Sequence, residues 1–149
     1  MSALRKHLGT CHCGAVRFVV ELDLGQGASR CNCSICTKSA VLSAIGKPDA
    51  LTLLAGEAAL SSYEWGGRTA QRYFCRHCGV QCFGRGDLEE LGGAYVSVNV
   101  NALDDIDPST LSVVYWDGRH DNWQAGPGTA PWPFEPAARP GAVTDALTA

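Results

Sequence analysis

The chain has 149 residues, enough for one domain with a core of its own, since a domain of this size buries roughly 70% of the surface its unfolded chain exposes. Its formal net charge is −3, and no basic run is longer than Arg5-Lys6, which argues against a nucleic-acid groove or an anionic-membrane surface. The apolar runs are too short to span a bilayer, and the first residues show no signal-peptide core, so a cytoplasmic, reducing setting is expected.

Short apolar and alternating segments recur along the chain. Ala15–Leu22 (AVRFVVEL) predicts a strand, and Gly25–Ser29 a loop after it. Val41–Ile45 and Leu51–Leu54 predict short strands around the Gly46-Lys47-Pro48-Asp49 turn. Leu60–Trp65 and Ala70–Phe74 flank Gly66-Gly67, a hairpin signal. Asp87–Leu91 predicts one helical turn, Tyr95–Val100 a half-buried strand, and Leu111–Trp116 the last strand. The expectation is a mainly β single domain of several short sheets over residues 1–136, followed by an irregular Pro/Gly/Ala-rich tail over residues 137–149.

Eight cysteines punctuate these segments in three clusters: Cys11-His12-Cys13, Cys31-Asn32-Cys33-Ser34-Ile35-Cys36, and Cys75-Arg76-His77-Cys78 with Cys82 beyond. In a reducing compartment such spacing reads as metal binding, because neighbouring thiolates can bend onto one tetrahedral ion. A disulfide framework is the competing reading; cysteines two residues apart pair poorly, and the chain is large for a stapled mini-domain. A glycine follows both Cys13 and Cys78, where it permits a tight turn that aims backbone N–H groups at sulfur. Pairing these two half-sites gives a closed four-thiolate site. Cys31, Cys33 and Cys36 form a surplus, with three ligands and an open position as in catalytic zinc. Closure of that site by Cys82 or by a histidine stays open, although Cys82 lies in an apolar stretch and reads as core. His7, His12, His77 and His120 read first as surface or satisfied residues.

The succession Gly9-Thr10-Cys11-His12-Cys13-Gly14-Ala15-Val16, Cys31-Asn32-Cys33-Ser34-Ile35-Cys36, Gly56-Glu57 ahead of Tyr63, and Arg72-Tyr73-Phe74-Cys75 with Cys78-Gly79 resembles the glutathione-dependent formaldehyde-activating enzyme family. That family shares its domain with centromere protein V. Val98-Asn99-Val100-Asn101, Asp107-Pro108 and Tyr115-Trp116-Asp117-Gly118 extend the likeness toward Trp123, whereas Cys82 departs from it. The resemblance implies several coiled β-sheets and two zinc ions. One is structural, on Cys11, Cys13, Cys75 and Cys78; the other is catalytic, on Cys31, Cys33 and Cys36. It also implies a carbon–sulfur lyase that condenses glutathione with formaldehyde. The expected partners are then a small thiol and a small aldehyde, with no nucleic acid, no membrane and no oligomeric state implied. A non-catalytic zinc-binding interaction module is the alternative. Arg30, Lys38, Arg72 and Arg76 lie near the clusters as possible carboxylate partners, or as solvated charges. Trp116–Trp123 reads as a turn whose tryptophans pack the domain's edge, outside the candidate site.

Overall fold

The backbone pairing in the computed structural model, which describes residues 3–67 and 69–133, begins earlier than the sequence suggests. Arg5–Thr10 (β1) forms an antiparallel hairpin with Arg17–Leu22 (β2), and the first cysteine cluster is its turn. Leu51–Ala55 (β5) adds to β2, completing a three-stranded sheet in the order β1-β2-β5. The other strands are Ala28–Cys31 (β3), Ser43–Gly46 (β4), Leu60–Tyr63 (β6), Ala70–Cys75 (β7), Gln81–Leu88 (β8), Gly93–Asn99 (β9) and Val113–Trp116 (β10). They build a seven-stranded sheet ordered β10-β3-β4-β9-β8-β7-β6. Every pair in it is antiparallel except β10 with β3. The fold is therefore mainly β, as expected, with two sheets among the described residues. The tail over residues 137–149 lies outside the described residues.

Several boundaries differ from expectation. Gly25–Ser29 is not all loop, because β3 starts at Ala28, pinned by its N–H to the Ser112 carbonyl across the parallel pair. Asp87 and Leu88 belong to β8, and only Glu89–Leu91 turns, as a 3-10 helix. Among the described residues one α-helix, Ser34–Ser39 (α1), arises inside the second cysteine cluster, with Cys33 as its N-cap.

The sheets pack through alternating inward residues. Phe18, Val20 and Leu22 of β2 meet Ala44, Phe83, Val96 and Val98 of the larger sheet, all buried. The Phe18 and Phe83 rings touch edge to face at 5.7 Å. Phe18→Ala should therefore cost about 3–5 kcal/mol in denaturant unfolding. A loss below about 1 kcal/mol would mean that this ring does not hold the sheets together.

The opposite face of the larger sheet carries different chemistry. Register places Arg72 across from Gly84, Gly84 across from Ser97, and Gly86 across from Tyr95. Alternation along β3 from the Ser29–Ser43 pair puts Cys31 on this same outer face.

Candidate metal centres

Two groups of thiols come together. The first joins Cys11, Cys13, Cys75 and Cys78; the second joins Cys31, Cys33 and Cys36. All eight cysteines, Cys82 included, are free thiols.

The first group is built from two equivalent turns. Cys11 N–H donates to the Val16 carbonyl at 3.1 Å, and Cys75 N–H to the Val80 carbonyl at 3.0 Å. Gly14 and Gly79 take φ of +80° and +78°, the left-handed region that L side chains avoid. Each turn then aims N–H groups at sulfur: Val16 to Cys11 Sγ at 3.3 Å and His77 to Cys75 Sγ at 3.4 Å. The Val80 N–H, just past Gly79, lowers Cys78 to about 6. Cys13 Sγ stands 3.6 Å from both Cys11 Sγ and Cys75 Sγ. A tetrahedral ion with bonds of about 2.3 Å to sulfur needs sulfurs roughly 3.8 Å apart, so the donor set fits zinc. Since one turn links β1 to β2 and the other β7 to β8, this group ties the two sheets together.

Cys82 lies in neither group. It is fully buried in the core, its thiol 3.5 Å from the Val80 carbonyl, and burial pushes it up to about 12.

The second group is half-buried on the outer face. Cys31 ends β3, Cys33 caps α1, and Cys36 falls in the helix's first turn, so three residues of spacing bring Cys33 and Cys36 to one side. Cys33 N–H points at Cys31 Sγ at 3.5 Å. Hydrogen bonds from Cys31 and then Cys36 hold the Cys33 sulfur far below the ordinary thiol range, and the Arg72 charge adds to this. Contact with Cys33 pushes Cys31 up, and contacts with Cys31 and then Cys33 push Cys36 up. Arg72 is thus a basic residue whose charge acts on this group. Burial raises the Tyr95 phenol, which also feels Arg72 and Cys36. Among the described residues no fourth Cys, His, Asp or Glu joins these three sulfurs.

The histidines divide. His12 and His77 are exposed, as expected. His7 is buried instead, its Nδ1 2.9 Å from Asp105 Oδ2. His120 lies 2.7 Å from Asp117 Oδ1.

The sequence reading missed the Trp116–Trp123 turn as part of this centre. Its tryptophan rings do pack, 6.0 Å apart. Yet Gly118 lies directly against the second group. A Cβ built there would stand 2.4 Å from Cys31 Sγ and 2.8 Å from the Trp123 ring. Only a glycine lets this backbone approach the sulfur so closely.

The family model described as glutathione-dependent formaldehyde-activating enzyme matches residues 6–117. The chain belongs to this family. A curated protein of Halomonas elongata, provisionally named a glutathione-dependent formaldehyde-activating enzyme, is 37% identical over 78 residues, covering 47% of this chain and 50% of that protein. The chain thus matches about half the length of that relative. A crystal structure of a Rhodobacter sphaeroides protein shares the fold with a TM-score of 0.64 and 37% identity, covering 75% of this chain and 99% of that one. Among the described residues no helix is long and apolar enough to cross a membrane.

Proposed function

We propose that this protein condenses a glutathione-like thiol with a small aldehyde such as formaldehyde, as a zinc-dependent carbon–sulfur lyase of the reducing cytoplasm. The observation that carries the reading is the contrast between a four-thiol group joining the sheets and a three-thiol group on an outer face. In this reading the first group holds a structural zinc and the second a catalytic one. Zinc at the second group would supply the charge that keeps a substrate thiol ionised at neutral pH. Three cysteine thiolates leave that centre anionic, which weakens Lewis acidity and favours thiolate delivery over aldehyde polarisation.

The chain's own residues set the surroundings of the reaction. The substrate sulfur forms the new C–S bond with the carbonyl carbon, and the carbonyl π pair moves to oxygen, which takes up a proton. The product is a thiohemiacetal, with the atoms of thiol and aldehyde conserved. Arg72 supplies positive charge where the anionic sulfur must be held, and the half-buried Tyr95 phenol stays protonated beside that charge. The Gly118 backbone lies against Cys31 Sγ, with the Trp123 ring beside it, and bounds the centre on that side.

The test measures metal per chain together with the rate of thiohemiacetal formation above the uncatalysed reaction, using several thiols and aldehydes. Two zinc ions and a clear acceleration with a glutathione-like thiol are expected. No acceleration with any pair would leave a non-catalytic zinc module as the better description.

A further inference from the structure

Asn32 stands between two of the three cysteines of the outer group, and all four of its polar groups are tied to one distant segment. Its backbone N–H donates to the Trp116 carbonyl at 3.2 Å. Its backbone carbonyl accepts from Arg119 Nε at 3.0 Å. Its side-chain Oδ1 accepts from the Arg119 backbone N–H at 2.9 Å. Its Nδ2 donates to Asp117 Oδ1 at 2.8 Å. Asp117 is buried, with 5% of its surface exposed. Besides the Asn32 amide, its carboxylate takes His120 Nδ1 on Oδ1 at 2.7 Å and Asn122 Nδ2 on Oδ2 at 3.3 Å.

A buried carboxylate is costly unless several donors meet it, so its bonds constrain those donors in return. The Asn122 N–H to Asp117 carbonyl bond at 3.1 Å closes the turn that carries the carboxylate, fixing it relative to β10. β10 in turn pairs in parallel with β3, Trp116 beside Cys31. Asp117 therefore holds the residue that sets the spacing between Cys31 and Cys33. The adjacent Gly118 backbone presses on Cys31 Sγ from the same turn.

We propose that Asp117 is a positioning residue for the Cys31–Cys33–Cys36 centre, acting through the Asn32 side chain and setting how tightly that centre keeps its ion. This rests on the reading that the three cysteines bind a metal. The carboxylate touches neither substrate nor sulfur; it fixes the loop that presents the sulfurs. Partners one step removed from metal ligands commonly change metal affinity by roughly 10–100-fold when lost.

The test follows zinc release to a chromophoric chelator from the whole protein, with the four-thiol centre as an internal control. Cys36→Ser identifies which phase belongs to the outer centre. Asp117→Ala and Asn32→Ala should each speed that phase by roughly 10–100-fold and leave the other phase unchanged. Asp117→Asn, which can still accept from Asn32, should fall between these and the parent protein. His120→Ala removes a different donor to the same carboxylate and should release zinc as the parent protein does. A merely structural role would lower Tm and speed both phases together. Where Asp117→Ala does not fold, Asn32→Ala carries the test, since the Asp117 carboxylate then keeps its His120 and Asn122 donors. Unchanged release from both alanine variants overturns the proposal. A parent protein that binds a single ion overturns the metal reading beneath it, which is a separate outcome.

Discussion

Replacing Cys75 by serine is expected to unfold most of the domain. The Cys75 sulfur is fully buried, lies 3.6 Å from Cys13 Sγ and accepts the His77 N–H. Serine would break a four-thiolate donor set, and its hydroxyl would enter a core that holds Phe18, Val98 and Cys82. Structural zinc contributes on the order of 10–16 kcal/mol in small metal-bound domains. Whole domains are commonly stable by only about 5–15 kcal/mol, so even part of that loss would be decisive. The effect should also be global, because the two turns at this centre belong to different sheets, β1–β2 on one side and β7–β8 on the other. Near-ultraviolet circular dichroism and zinc content measured on the same sample would check it. A Cys75→Ser protein that melts cooperatively at the parent temperature would show that packing alone joins the sheets.

The turns that carry Cys11–Cys13 and Cys75–Cys78 were legible because each depends on short range. Two or three residues of spacing and one following glycine define each turn, and Gly14 and Gly79 adopt the positive φ that this reading requires. β2, β9 and the β6–β7 hairpin were legible for the same reason, through alternation and the Gly66-Gly67 turn. Strand β1 was not. Its Arg5-Lys6-His7 start reads as solvated chain, and its burial of His7 depends on Asp105, 98 residues away. Strand β8 was hidden by Gly84 and Gly86, which lower intrinsic strand preference. It is held because β7 and β9 pair with it on both sides, and because the Tyr95 ring lies where a Cβ of Gly86 would be.

The support of the outer centre was hidden more deeply. In the sequence Asn32 is simply one residue within the second cysteine cluster, and Asp117 one residue of the Trp116–Trp123 turn. Their bond spans 85 positions and exists only because β3 and β10 pair in parallel. A spacing argument finds ligands that share one ion. It does not find the groups that hold those ligands still, since these answer to the sheet's topology.

Cys36→Ser should give the opposite result to Cys75→Ser: a folded protein with its chemistry lost. Cys36 is half-buried, in a six-residue helix on the outer face, and no core residue depends on its sulfur. The surrounding loop keeps the four bonds of Asn32, none of which involves Cys36. Only the donor set changes, from three sulfurs to two. Metal ions in catalytic sites typically contribute several kcal/mol to transition-state stabilisation, and each 1.36 kcal/mol is tenfold in rate. Losing about 3 kcal/mol would lower kcat/KM for thiohemiacetal formation by roughly 100-fold, with Tm near that of the parent protein. Kinetics corrected for the uncatalysed reaction, run beside thermal melts, separate the possible results. Full activity in Cys36→Ser would refute the catalytic assignment of this centre. Global unfolding would instead make both thiol groups structural, and would remove the contrast on which the proposed function rests.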